Sequence, residues 1–250
     1  MPHNTVLITG ASSGIGASLA LAYARAGVTL LLWGRDEARL QESAARCRAL
    51  GATVNLQSFD LRDAAGFAAR LLEADAGSPI GLAIFNAGLG GSAPRAPKAE
   101  LPQNAQAIAE VNFVAPVVGA NAIAEAMAAR GKGQIVLVGS ISESYPLPMA
   151  PTYAATKAGL RMFAEALGLR MRPYGVTVSL VSPGFIDTPM SRRVHEPKPF
   201  LMTADRAAKI IAKKIDAGAR VIVVPWQFSV IRCLTDLLPR GIVRWFLSRA

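Results

Sequence analysis

Two side chains four residues apart, Tyr153 and Lys157, carry the most chemistry in this 250-residue sequence. Apolar positions recur at helical spacing over residues 153–171, with Pro173 and Gly175 just beyond the end. On such a helix the pair lies on one face, phenol beside ammonium. A free phenol gives up its proton near pH ~10, and a cation held close favours the phenolate. Lowering that pKa by about three units needs roughly 4 kcal/mol of differential interaction, which one ammonium together with a second, ligand-borne cation could supply in a dry site. Tyr153 would then work near neutral pH as a general acid or base. Ser140, at the end of an apolar run over residues 133–140, could donate a hydrogen bond to the same reacting oxygen. Tyr-x-x-x-Lys is also a common surface pair on helices, so the neighbouring elements must decide.

Those elements alternate short Val/Ile/Leu runs with Ala-rich helical stretches. The alternation predicts an α/β fold: a Rossmann-type, doubly wound parallel sheet with helices on both faces, in three layers. The first strand, Thr5–Thr9, runs into Gly10-Ala11-Ser12-Ser13-Gly14-Ile15-Gly16, followed by a helix over residues 17–26. Strand, glycine turn and helix together predict a dinucleotide site, with backbone close to a pyrophosphate on the helix N-terminus. Thr9, Gly10, Ser12, Ser13, Gly14, Ile15 and Gly16 would line it, unless the glycines serve only the turn. The second strand, residues 28–33, ends in Gly34-Arg35-Asp36, where the adenosine ribose is met in such folds. Arg35 would accommodate a 2′-phosphate, favouring NADPH over NADH; Asp36 accepting from the ribose hydroxyl is the competing reading.

Further along, a strand over residues 53–59 leads to Asp60 and Leu61. Asp60 could accept from the adenine amino group or cap a helix starting near Asp63. A strand over Leu82–Phe85 leads to Asn86-Ala87-Gly88, where Asn86 could bond its own turn and the small residues let backbone pass close to the cofactor. A long helical region over residues 102–130 contains Asn112 among apolar neighbours, a poor choice unless its amide is used; a hydrogen-bonded core amide is the plain alternative. A strand over residues 177–181 breaks at Ser182-Pro183-Gly184 and continues through Ile186 and Thr188 into a polar, Pro-containing stretch, about 188–203, that suits a lid. A helix over residues 203–217 and a strand over residues 220–224 complete a single domain, residues 1–225.

Composition narrows the class. The two cysteines, Cys47 and Cys233, and two histidines, His3 and His195, have no ligand spacing. They predict no metal site, no structural disulfide and a reducing, cytoplasmic setting. Nothing at the N-terminus reads as a signal peptide, since the fold needs that strand. The net charge of +10 is concentrated late: residues 191–250 hold 12 Lys/Arg against 4 Asp/Glu. No nucleic-acid motif surrounds them. The tail, residues 226–250, reads as an amphipathic helical extension interrupted by Pro239 and Gly241. It would cover the substrate pocket or a subunit interface, or make peripheral contact with an anionic membrane.

Thr9-Gly10-x-x-x-Gly14-x-Gly16, Asp60, Asn86-Ala87-Gly88, Asn112, Ser140, Tyr153-x-x-x-Lys157 and Pro183-Gly184 with Thr188 follow one another in one order and spacing. In this the sequence resembles the classical short-chain dehydrogenase/reductase family over essentially its whole length. The resemblance implies that Tyr153 is the proton donor or acceptor, that Ser140 holds the substrate oxygen, and that Lys157 binds the nicotinamide ribose while lowering the tyrosine pKa. It implies that Asn112 positions a relay water, and that Pro183, Gly184, Ile186 and Thr188 meet the nicotinamide end. NAD-preferring relatives carry an acid at the position of Gly34 and NADP-preferring ones a basic residue at that of Arg35. It also implies a homodimer or homotetramer.

Ile141, Tyr145, Leu147, Met149, Phe185, Ile186 and Met190 would wall an apolar pocket for a hydrophobic ketone or secondary alcohol. Glu143 among them would meet a polar substrate group or face water. Two other functions compete. One is a non-catalytic NADP(H)-binding sensor or assembly protein, against which the presence of all four reactive residues speaks. The other is a sugar-nucleotide epimerase or dehydratase, whose glycine spacing and larger C-terminal domain differ.

Overall fold

Runs such as Val6–Leu7–Ile8 and Leu30–Leu31–Leu32 are apolar at every position because both faces of their strands are covered. In the computed structural model, which describes residues 3–91, 99–194 and 197–237, these runs are β1 (Thr5–Thr9) and β2 (Thr29–Gly34). They join β3 (Thr53–Ser58), β4 (Leu82–Phe85), β5 (Gly133–Val138), β6 (Val176–Pro183) and β9 (Val221–Val224) in a seven-stranded parallel sheet of order β3-β2-β1-β4-β5-β6-β9. Two residues each form β7 (Ile186–Asp187) and β8 (Met202–Thr203), which pair apart from the main sheet.

Strand side chains alternate between two cores. Val6, Ile8, Leu30, Leu32, Leu82 and Ile84 pack beneath α1 (Gly14–Tyr23), α2 (Glu37–Ala49) and α7 (Ala204–Asp216). Leu7, Leu31, Ala83, Phe85, Ile135 and Leu137 pack on the other face beneath α3 (Ala64–Gly77), α5 (Ala115–Ala129) and α6 (Pro151–Met171). The expected three layers are present. The first helix begins at Gly14, earlier than its apolar pattern suggests, because the glycine turn is itself the first helical turn. Asp63 caps α3, accepting from the Gly66 N–H at 2.9 Å, so Asp60 is not the cap.

The long helical region read over residues 102–130 is present as α4 (Pro102–Ala109) and α5, joined by a π-turn at Glu110–Val114. The lid region is partly ordered by β8 and by a short 3₁₀ turn, Ser191–Arg193. A last helix, α8 (Gln227–Leu237), supplies the start of the tail; the remainder of the expected extension, residues 238–250, lies outside the described residues, as do 195–196 of the lid.

Phe67 is the central aromatic of the second core: it meets Trp33 edge-on at 5.6 Å, Phe85 edge-on at 6.1 Å and Phe59 stacked at 6.5 Å. Gly119 of α5 lies against it so closely that a Cβ there would stand 2.4 Å from the ring. With helix and strand both set by this ring, Phe67→Ala is expected to cost about 3–5 kcal/mol. Urea unfolding with unchanged m checks it; a loss below about 1 kcal/mol would show that the core collapses onto the hole.

Candidate active site

In an open parallel sheet the crevice lies beyond the carboxyl ends of the strands, where the strand order reverses. Here that point is between β1 and β4. The two turns leaving these strands are stitched together. Thr9 Oγ1 accepts from the backbone N–H groups of Asn86 at 3.0 Å and Ala87 at 3.1 Å, while Asn86 Nδ2 donates to the carbonyls of Thr9 at 3.0 Å and Gly10 at 3.3 Å. Asn86 therefore bonds the turn of the other strand, not its own as the sequence suggested. Gly10 needs its positive φ of 69°, and a Cβ on Gly16 would stand 2.2 Å from the Gly10 carbonyl oxygen. Ser13, the residue before α1, makes no side-chain cap, which leaves the helix N–H groups to an anion.

At the outer end of the crevice Gly34 presents no side chain; a Cβ there would approach Ser12 to 3.5 Å. Arg35 is exposed beside it. Asp36 caps α2, accepting from the Arg39 N–H at 3.1 Å, and pairs with the Arg39 guanidinium at 2.6 Å. Asp60 is held by Arg62, whose N–H it accepts at 3.0 Å. These partners hold both carboxyl groups below the usual carboxylate range.

The other end of the crevice gathers the reactive residues. Ser140 follows β5, and its hydroxyl faces the Tyr153 phenol closely enough to draw that group's pKa down. Lys157, one turn further along α6, is buried; its Nζ donates to the Val138 carbonyl at 2.8 Å and stands 5.7 Å from the centre of the Tyr153 ring. Gly88 lies against both Lys157 Nζ and Asn112 Oδ1, the two nearest polar atoms a Cβ there would meet, at 3.9 Å and 3.3 Å.

Asn112 is buried in the π-turn and clamps the backbone of Leu89, accepting from its N–H at 2.7 Å and donating to its carbonyl at 2.9 Å. Thr188 closes the crevice from above: its methyl group would be 3.0 Å from a Cβ on Gly14, and its own turn is tied by Ser191. Leu61, Ala87, Pro183 and Gly184 stand on these same strand-end turns.

Burial dominates the electrostatics of the pair. Burial pushes the Tyr153 phenol above its usual value and the Glu143 charge adds to this, against the Ser140 hydrogen bond. Burial lowers the Lys157 ammonium to about 8, against the attraction of Glu143. Desolvation is the leading influence on both groups, and it carries the phenol upward and the ammonium downward.

Two further expectations change. Ile186 is 3% exposed within the first core and walls no pocket. Glu143 faces neither substrate space nor water. Its fully buried carboxylate accepts from the Ser182 hydroxyl at 2.6 Å and the Ser140 N–H at 3.3 Å, and meets Arg232 of α8 at 3.3 Å. The Ser140-x-x-Glu143 spacing is that of a capping box, the signal that could have found it. Phe228 of α8 also packs here, against Gly184 and edge-on to Phe185 and Phe200 at 6.2 and 5.7 Å. Met190 lies over Gly90 at the mouth, with Met149 exposed nearby in sequence to the α6 start.

Comparison with known proteins places this geometry. The family model described as short chain dehydrogenase matches residues 4–199. An uncharacterized oxidoreductase of Myxococcus xanthus is 34% identical over 243 residues, covering 96% of this chain and 94% of that protein. A short-chain dehydrogenase from Sphingobium yanoikuyae, solved in complex with NADPH, is 31% identical with a TM-score of 0.82, covering 98% of this chain and 96% of its own. The bulky-bulky ketone specific alcohol dehydrogenase from Comamonas testosteroni is 30% identical with a TM-score of 0.78, covering 96% of each chain.

Lys157 gives a stability test. Its folded pKa of about 8 lies below the ordinary lysine value of 10.5, so between these pH values the unfolded chain holds a proton that the folded one lacks. Stability therefore rises with pH across that window, and the cost of the buried ammonium is fully present below it. Relative to Lys157→Met, wild-type unfolding free energy is expected to gain roughly 3 kcal/mol from pH 7 to 10.5. Urea titrations of both proteins across the range check this; a constant difference would mean the ammonium is not desolvated.

Proposed function

The chain belongs to the short-chain dehydrogenase family and is an oxidoreductase of it, and on that premise we propose that it reduces a bulky, hydrophobic ketone, or oxidises the corresponding secondary alcohol, with NADP(H). The observation that carries the reading is the Ser140 hydroxyl facing the Tyr153 phenol with the buried Lys157 ammonium behind them, beside the turn at Gly88.

In the reductive direction Ser140 donates to the substrate carbonyl oxygen and Tyr153 gives that oxygen its proton. Lys157, which now donates to the Val138 carbonyl, would hold the cofactor's ribose hydroxyls and keep a positive charge near the phenol. Bound NADPH supplies the hydride. The raised phenol pKa agrees with a tyrosine that waits protonated, as an acid must. Asn112 holds Leu89, and through it the turn at Gly88 on which the cofactor would rest.

The residues suit the nucleotide. The uncapped N-terminus of α1 and the glycine turn would take the pyrophosphate. The phosphate end is the more telling: Asp36 is engaged by Arg39, Gly34 offers no carboxylate, and Arg35 is exposed where a 2′-phosphate would stand. For the substrate, Ile141, Tyr145 and Leu147 are partly exposed beside Ser140, and Met149, Met190 and Phe200 give the mouth apolar surface. The Comamonas testosteroni enzyme's specificity for bulky-bulky ketones supports the same class.

Fluorescence titration with NADPH and with NADH tests the cofactor. NADPH is expected to bind more tightly, and Arg35→Ala to weaken it about ten- to a hundredfold, the worth of a charged hydrogen bond, leaving NADH unchanged. Equal binding of both nucleotides would return the ribose to Asp36. In a ketone screen following NADPH oxidation, Tyr153→Phe is expected to lose about 10²–10⁴ in kcat with nucleotide affinity kept; full turnover by that variant would sink the mechanism.

A further inference from the structure

Glu143 is a fully buried carboxylate placed immediately behind the reactive serine, and the proposed reaction gives it no task. Its surroundings define its state. The Ser140 N–H at 3.3 Å, the Ser182 hydroxyl at 2.6 Å and the Arg232 guanidinium at 3.3 Å all donate to it. Burial pushes this carboxyl above the usual range and the three donors pull against it, so the anion depends on them and on a counter-charge. That counter-charge comes from α8, beyond the last strand of the sheet, and the Arg232 side chain is only 20% exposed.

The carboxylate also fixes backbone. Its Oε2 atom receives the Ser140 N–H, and the Ser140 hydroxyl in turn accepts from the Ser142 N–H at 3.2 Å, closing a capping box around the 3₁₀ turn Ile141–Ser144. A Cβ on Gly139 would lie 2.5 Å from the same Oε2, so the chain entering Ser140 runs directly against the carboxylate. On the far side Ser182 ties the group to the end of β6, just before Pro183 and Gly184, and Phe228 of α8 presses on Gly184. One helix thus bears on both walls of the crevice.

We propose that the Arg232–Glu143 ion pair is a latch by which α8 sets the position of the Ser140 hydroxyl, making Glu143 and Arg232 positioning residues for the reaction. This rests on the reading that Ser140 holds the substrate oxygen. Without Arg232 the carboxylate loses the cation in contact with it and keeps only the attraction of Arg161 and Lys157; it takes a proton or turns away, and the Ser140 N–H loses its acceptor. The turn then relaxes while the nucleotide site, built on β1, β2 and α1, stays as it was.

The test compares wild type, Glu143→Gln, Arg232→Met, Arg232→Lys, the double variant Glu143→Gln/Arg232→Met, and Ser140→Ala. Each is measured for NADPH affinity, for steady-state reduction of benzil, a ketone with two bulky substituents, and for amide hydrogen exchange over residues 139–144. Arg232→Met and Glu143→Gln are expected to lower kcat about ten- to a hundredfold, with KM and NADPH affinity little changed and exchange of this segment faster. Arg232→Lys should recover most of the loss. The double variant should be no slower than the worse single one, and it guards against a folding defect caused by a lone buried charge.

Wild-type kcat and wild-type exchange in Arg232→Met would overturn the latch, as would losses in the two single variants that simply multiply in the double one. Exchange needs no substrate, so an unchanged segment overturns the latch even if benzil is not turned over. Full activity in Ser140→Ala would instead overturn the reading of the site, whatever Arg232 does.

Discussion

The approach of two turns, one leaving β1 and one leaving β4, is the constraint on which the rest of the site depends. They meet where the sheet changes winding direction, and one amide and one hydroxyl side chain bridge the backbones there. Asn86 fills that space by donating to two carbonyls of the opposite turn, and Thr9 returns two acceptor bonds from one hydroxyl. The missing Cβ of Gly16 is what lets α1 start so close behind. Were the turns further apart, the uncapped end of α1 and the turn at Gly88 would face different spaces, and no single dinucleotide could touch both.

Around that seam the protein buries an unusual density of charge for an apolar fold. Lys157, Glu143 and Arg232 stand within one region, and the first two are removed from water almost entirely. Each alone would be costly. Together they form an alternation of sign in which Lys157 feels the attraction of Glu143 and Glu143 that of Arg232. The tyrosine sits at the edge of this field, and burial rather than the lysine sets the direction of its pKa. A second cation close to the phenol, such as an oxidised nicotinamide, would be felt strongly there because so little water screens it.

What the sequence revealed follows from the range of each interaction. The Tyr153 and Lys157 pair, the glycine turn after β1 and the alternation of strands and helices are local patterns, and the structure has all three. The capping of α2 by Asp36 is local too, a role passed over when the residue was weighed as a ribose acceptor. Asn86 was misread because its partners lie 76 and 77 positions away, beyond any turn rule. Glu143 was misread because an acid beside a strand end looks exposed, and only the fold brings Arg232 to it across 89 positions. Ile186 looked like a pocket wall because an apolar residue near a site has no mark that separates wall from core.

The π-turn at Asn112 bears on how the long helical stretch should be understood. A regular helix advances by 100° per residue, and a turn closed between residues i and i+5 accommodates one residue more than that rhythm allows. The helix axis continues, but the phase of its faces is reset. Upstream, α4 turns one stripe toward α6; downstream, α5 turns a different stripe toward α3 and the sheet. A single helical wheel drawn from residue 102 to 129 would smear these two stripes around the whole circumference and make a well-packed element look apolar on every side. The extra residue is thus a phase shifter between two helices that share one axis, and the amide it turns inward is the one that holds Leu89.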